Sequence, residues 1–363
     1  MRDYINIYKV RARLLLMLAT VLLAACSDDS DRVDDETDVL QFVAYSHDMS
    51  DNTPASTRAI PGGYEVYQGP SSIGVFTTSA NDAPNSVRTF SYDEDKQKWM
   101  SQVSVKQHDT YYIYGYMPAS SEIKCFITKR EGLDFSKGAV LTFEDLPPVL
   151  AGDFSIVTGV QQLEQTTDEV NLVPNIFTFV GQQTGSNFAC LMLDHLYSCV
   201  KFKFLVNSDY DKLRTIKLTK VELKTTQQIS YPLEVTMKAG EDYDVPWDAD
   251  PTSRSNDYVS LPVSEDGDIL SATTPKEVEG YFVPKSEVAS NLVLRCTYDV
   301  YDKNVTEEHP KGNLVRSNCV AENKLPALVA GANKRTVLTL TVNPTYLYVL
   351  SEPDLDNPTV TIN

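Results

Sequence analysis

The chain has 363 residues, a formal net charge of −18 and only four histidines. This acidic charge argues against nucleic acids and anionic membrane surfaces as partners, because like charges repel. The length is sufficient for two domains of ordinary size. Frequent Thr, Val and Tyr favour strands over helices.

The N-terminus has the pattern of an export signal. Arg11 and Arg13 precede the apolar run Leu14–Leu23, which is followed by Ala24, Ala25 and Cys26. The run is shorter than the roughly 20 residues of a membrane-spanning helix. A basic flank, a short apolar core and small residues predict a secretory signal. The position of the cysteine predicts a lipoprotein signal, with Cys26 as the lipid-bearing first residue; the alternative is an ordinary signal peptide with an incidental cysteine.

An acidic stretch follows Cys26 and runs to Glu36. Such a stretch predicts a solvated tether, either a plain spacer or a sorting signal. Residues 38–45 then predict a strand with Leu40, Phe42 and Ala44 on one face. A polar, turn-rich stretch separates this strand from the rest of the chain and leads to Arg58, so Arg58 is expected in an exposed loop.

The remainder of the chain predicts short strands separated by polar turns. Val200, Phe202 and Phe204 alternate with lysines, which is typical of a half-buried strand. Further strands are predicted at residues 72–77, 110–118, 154–159, 215–223, 280–284, 292–301, 335–342, 346–350 and 359–362. This spacing predicts an all-β protein with two antiparallel β-sandwich domains in series.

The sequence offers little for catalysis or metal binding. The histidines are scattered, and no zinc spacing, phosphate-binding loop or nucleophile motif is present. We therefore expect no enzyme activity, no metal and no cofactor. The tyrosines of residues 111–116 could stack on a sugar, but their alternation favours core packing. Trp99 and Trp247 are too few and too far apart to argue for a glycan platform.

Five cysteines remain beyond Cys26, and an odd number cannot be fully paired within one chain. They are Cys125, Cys190, Cys199, Cys296 and Cys319. We expect buried, small apolar side chains, with one disulfide, Cys190–Cys199 or Cys296–Cys319, as the alternative.

Several segments together resemble the fimbrillins, which are the structural subunits of type V pili. Besides the lipoprotein signal and the isolated first strand, they are Thr57-Arg58-Ala59, Tyr114-Gly115-Tyr116-Met117-Pro118, Leu193-Asp194-His195-Leu196, Phe282-Val283-Pro284 and Val342-Asn343-Pro344-Thr345. The resemblance implies two transthyretin-like β-sandwich domains and export to the surface of the outer membrane as a lipoprotein. An arginine-specific surface protease would then cut after Arg58 and leave Ala59 as the first residue.

The resemblance also implies a means of assembly. Removing the strand that carries Leu40, Phe42 and Ala44 would open a groove, which the C-terminal segment of a neighbouring subunit fills. The expected donor residues are Tyr346, Tyr348, Leu350, Val360 and Ile362. The partners implied are other fimbrial subunits, the protease and, before cleavage, the outer membrane.

The expected organisation has five parts. They are a signal peptide (1–25), an acidic tether with the removable strand (26–58), an N-terminal sandwich (59–190), a C-terminal sandwich (191–345) and a donor segment (346–363). A stalk subunit agrees best with a cleavable arginine and a compact C-terminal segment. The alternatives are an anchor or tip subunit of the same pilus and a surface lipoprotein that binds glycans.

Overall fold

The computed structural model describes residues 37–47, 49–51, 64–67, 72–79, 86–106, 110–162, 183–184, 187–227, 229–238, 247, 252–253, 257–343 and 359–362. This part of the chain is all-β, as predicted, with only three single-turn helices. These are a 3-10 helix at Phe135–Lys137, α1 at Ser208–Asp211 and α2 at Ser286–Ala289.

The described residues form 24 strands. The first twelve are β1 (Thr37–His47), β2 (Ser50–Asp51), β3 (Tyr64–Val66), β4 (Ile73–Thr78), β5 (Arg88–Asp93), β6 (Lys98–Lys106), β7 (Tyr111–Met117), β8 (Cys125–Lys129), β9 (Gly138–Leu146), β10 (Val149–Leu150), β11 (Ser155–Gln162) and β12 (Gln183–Thr184). The other twelve are β13 (Phe188–His195), β14 (Ser198–Val206), β15 (Arg214–Thr225), β16 (Ile229–Lys238), β17 (Thr252–Ser253), β18 (Val259–Leu261), β19 (Asp268–Ile269), β20 (Lys276–Phe282), β21 (Leu292–Asp302), β22 (Leu314–Lys324), β23 (Lys334–Asn343) and β24 (Thr359–Ile362).

The first sheet closes on itself. Its strands follow the order β11-β13-β1-β6-β5-β4-β7, and β7 also pairs with β11. Short strands β3 and β12 add to β1 and β7. Because the ring is closed, β1 is an interior strand, bordered by β6 and β13.

Three further sheets complete the described fold. The second sheet has the order β10-β20-β14-β23-β2, with β24 also on β23. The third is β17-β16-β9-β8, and the fourth is β18-β15-β21-β22 with β19 on β15.

Strand β7 separates two apolar cores. All seven of its residues are buried. Tyr112, Tyr114 and Tyr116 pack into the larger core, which joins all four sheets, while Tyr111 and Ile113 face a second core that also contains residues of β1. Successive side chains of a strand point to opposite faces, so one strand can line both cores. The predicted core packing of these tyrosines is confirmed.

The two halves of the sequence share sheets. Strand β9 pairs with β16, and β10 pairs with β20. The expected division between residues 190 and 191 falls inside β13, which lies wholly in the first sheet because it pairs with both β1 and β11. In the later half of the sequence, the first strand that belongs to the second sheet is β14.

Candidate functional site

The strand expected to be removable, β1, is bonded along both edges. It runs antiparallel to β6, with Phe42 opposite Trp99, and parallel to β13, with Ala44 opposite Leu191. Additional backbone bonds tie β1 to neighbouring loops: the Gln41 amide donates to the Asn187 carbonyl, and the Ala44 carbonyl accepts from the Tyr67 amide, both at 2.8 Å.

The predicted apolar face of β1 is confirmed. Leu40, Phe42 and Ala44 are all fully buried and belong to the core inside the closed sheet. The Phe42 ring lies 4.7 Å from Phe90 and is stacked on Trp99. Burial of a side chain the size of Leu or Phe stabilises a fold by about 1.5–3 kcal/mol, so this face contributes substantially to folding.

The opposite face of β1 is also covered. Val43 and Tyr45 pack with Phe188, Cys190 and Met192 in a small separate cluster. Burial, together with the neighbouring Cys190, raises the pKa of Tyr45 to about 12. With both faces and both edges occupied, β1 is integrated into the sheet like a core strand.

The N-terminal segment also reaches the second sheet. After β1, Met49 is buried, and β2 pairs in parallel with Lys334 and Arg335 at the start of β23. Residues 37–51 therefore contribute strands to two different sheets.

The C-terminal strand β24 lies on the same strand, β23. It runs antiparallel, with Val360 opposite Val342 and Ile362 opposite Leu340. One edge of β23 is taken by β14 along residues 335–342, so β2 and β24 share the other edge. Strand segments from near the two ends of the sequence thus meet on one edge of β23.

Only part of the predicted site lies in the described residues. Leu40, Phe42 and Ala44 are brought together in β1, and Val360 and Ile362 lie in β24. The remaining predicted residues lie outside the described part of the chain; they are Cys26, Arg58, Ala59, Tyr346, Tyr348 and Leu350.

Sequence reasoning missed a buried polar cluster between β11 and β13. His195 Nδ1 lies 2.7 Å from Asp153 Oδ2 and 3.2 Å from Ser155 Oγ. Ser155 donates its hydroxyl proton to Asp153 Oδ2 at 2.5 Å. A catalytic triad requires the serine and the carboxylate on different imidazole nitrogens, whereas here both face Nδ1. His195 lies 40 positions from Ser155 and 42 from Asp153 along the chain, so no local motif could reveal the cluster.

The cysteines that the structure describes are all free thiols, so neither candidate disulfide is formed. Four are buried as expected, while Cys125 is partly exposed. Burial raises the pKa of Cys190 and of Cys296 to about 12, which keeps these thiols protonated and unreactive at neutral pH.

Within the described residues no group of His, Cys, Asp or Glu could hold a metal ion. The same residues contain no helix long and apolar enough to cross a membrane.

Comparisons with known proteins find solved structures only, since no family model and no curated protein matches the sequence. A putative cell adhesion protein from Bacteroides uniformis is 12% identical over 91% of this chain and 99% of its own, with a TM-score of 0.36. A fimbrial protein from Bacteroides vulgatus is 13% identical over 80% and 91%, with a TM-score of 0.33. The fimbrial anchor protein Mfa2 from Porphyromonas gingivalis is 11% identical over 89% and 95%, with a TM-score of 0.26.

These structural neighbours are fimbrial and putative cell adhesion proteins. At such identities and TM-scores, the similarity assigns neither a family nor a function to the chain.

Proposed function

We propose that this chain is a structural subunit of a type V fimbria. It is exported as a lipoprotein on Cys26, cut after Arg58 at the cell surface, and polymerised by strand exchange. The observation that carries the proposal is the placement of β1: an interior strand with a fully buried apolar face lies on the N-terminal side of the expected cleavage site.

Loss of β1 would create a site that binds strands. The facing edges of β6 and β13 would lose their ladder partner, and the cavities left by Leu40, Phe42 and Ala44 would open to water. Unpaired strand edges pair readily with another chain. Main-chain hydrogen bonds then supply affinity, and alternate side chains set the register.

The donor in this proposal is the C-terminal segment of a second subunit, residues 346–363. Its alternating apolar residues suit a strand with one buried face, and β24 within it already pairs as a strand with β23. A donor that replaces β1 must run parallel to β13 and antiparallel to β6. Because the donor and acceptor surfaces differ, the contact is heterologous and propagates a filament.

The proposal includes the other expected features. The two transthyretin-like sandwiches divide near residue 190, an arginine-specific surface protease makes the cut, and the outer membrane holds the subunit until then. An anchor subunit would keep both its lipid and β1. An aromatic glycan platform finds no support at Trp99 or Tyr111–Tyr116, because these side chains are buried.

The substitution Arg58→Ala tests the proposal. We expect a lipidated monomer that forms no SDS-resistant ladder on a denaturing gel, whereas Arg130→Ala, in a turn of the folded part, should polymerise like the wild type. Ladders from Arg58→Ala would contradict the proposal. Deleting residues 346–363 should abolish donation, so continued elongation by that variant would refute the assignment of the donor.

A further inference from the structure

Strand β6 is interrupted in the middle of the closed sheet. Its register with β1 jumps from Ser104 opposite Val39 to Met100 opposite Gln41. Its pairing with β5 covers only Lys98–Met100. Among the described residues, Ser101–Val103 therefore have no ladder partner on either side. Bulges of this kind often re-aim side chains beside binding sites.

A polar cleft of about 720 Å³ opens at this bulge. It is lined by Thr77 of β4, Arg88 and Thr89 of β5, and residues 101–104 of β6. This volume lies within the roughly 300–1,000 Å³ that is typical of sites for small molecules. The pairing of β5 with β6 ends at Ser91 and Met100, and the cleft is lined by the residues of both strands that lie beyond this point.

Among its described residues, the lining of the cleft has a positively charged side chain but no negatively charged one. It contains one guanidinium, one amide, four hydroxyls and the aliphatic Val103, and no described carboxylate. In a chain of net charge −18, a cleft whose described lining carries one cation and no acid favours an anionic ligand. The side chains of Arg88, Thr89, Gln102 and Ser104 make no hydrogen bond or ion pair with any other described residue.

This combination fits a molecule with one carboxylate and several hydroxyls. A guanidinium fork matches a carboxylate bidentately, while an amide and hydroxyls both donate and accept hydrogen bonds, as sugar hydroxyls do. We propose that the cleft binds an acidic monosaccharide unit, with its carboxylate on Arg88 and its hydroxyls on Thr89, Gln102 and Ser104. All residues that line the cleft lie on the C-terminal side of Arg58, so they stay in the subunit after the proposed cut, although the bulge itself is defined by the register of β6 with β1.

Titration of the full-length chain with D-glucuronate, followed by NMR chemical shifts, tests this inference. D-Glucose serves as the neutral probe, and acetate as the carboxylate without the hydroxyls. We expect saturable glucuronate binding that is at least about tenfold tighter than that of either control probe. Arg88→Ala should weaken it at least about tenfold, and Lys124→Ala, which removes an exposed cation elsewhere, should not.

Four outcomes would overturn the inference. They are no saturable glucuronate binding up to about 10 mM, equal affinity for glucuronate and glucose, equal affinity for glucuronate and acetate, and unchanged binding by Arg88→Ala. None of them depends on polymerisation, so failure here leaves the fimbrial proposal standing.

Discussion

Phe42 of β1 and Trp99 of β6 face each other in the ladder, and their rings are stacked 6.2 Å apart at an interplanar angle of 8°. Neither side chain is exposed to solvent. In the proposed function, Phe42 leaves with the cleaved segment while Trp99 remains in the subunit. The stacked pair therefore spans the boundary between the discarded and the retained parts of the chain.

Replacing Phe42 by Ala should lower the free energy of unfolding of the full chain by about 3–5 kcal/mol, since it deletes a buried ring among aromatic neighbours. Urea denaturation checks this value. Val39→Ala, at a partly exposed position of the same strand, is the matched control and should cost less than about 1 kcal/mol. Equal losses for the two variants would contradict the burial assigned to Phe42.

Trp99 fluorescence should report removal of β1. In a Trp247→Phe background, a chain that begins at Ala59 should emit at longer wavelength than the full chain, because the indole loses its cover. A synthetic peptide of residues 37–47 should shift the emission back. The same peptide with Phe42→Asp is the control, since a carboxylate is costly to bury; recovery with both peptides would argue against a specific groove.

The strands packed around Gly115 leave no room for a side chain at this position. A Cβ there would lie 2.6 Å from the Gly74 carbonyl oxygen of β4 and 3.0 Å from a methyl of Val157 in β11. Gly115→Ala should therefore destabilise the fold by about 1–3 kcal/mol, as overpacking does. Gly152→Ala has open space around the new methyl and should leave the thermal midpoint nearly unchanged. Similar midpoints for both variants would contradict the close approach of β4 and β7.

Glu222 should make stability pH-dependent in acid. Arg295 Nε donates to it at 2.8 Å, and this bond, with the nearby Lys220, holds the pKa of the nearly buried carboxyl below its usual range despite burial. A lowered folded-state pKa contributes stability above the unfolded-state pKa, and that contribution is lost as the pH falls through the folded-state value.

Glu222→Gln should accordingly lower the unfolding free energy at neutral pH by about 1–3 kcal/mol. The loss should be smaller at about pH 3, which lies below the ordinary pKa of a glutamate, so part of the stabilisation by the wild-type carboxyl is already absent. Urea titrations at both pH values measure the difference. Glu265→Gln, at an exposed site without an ion pair among the described residues, should change neither; a pH-independent loss for Glu222→Gln would contradict the linkage.

Local alternation predicted many of the strands but not their partners, and it missed β5, β6, β8, β9, β16 and β22 among the longer described strands. The apolar face of β1 and the core packing of the tyrosines in β7 were predicted from residue period, whereas the burial of both faces of β7 was not. Strands β5 and β6 were missed because Trp99 is flanked by polar residues at a turn and at a bulge, where alternation breaks down. The pairing of β9 with β16 joins residues that are far apart in sequence, and no local pattern encodes such a contact.

The candidate site was predicted to a similar extent. Leu40, Phe42 and Ala44 could be assigned to one buried face, but the two neighbours of β1 could not, since β6 and β13 lie about 60 and 150 positions away. The contact of β2 with β23 was not foreseen, because two polar residues in a turn-rich stretch give no strand signal. The polar cleft was not predicted, because it forms at a bulge in β6. A bulge depends on how two strands pair, and the sequence of one strand does not determine that pairing.

The most direct test is the N-terminal residue of subunits recovered from surface filaments, determined by mass spectrometry of terminal peptides. The account predicts chains that begin at Ala59 and lack residues 37–47. Filament subunits that begin at a lipid-modified Cys26, with β1 still present, would contradict it.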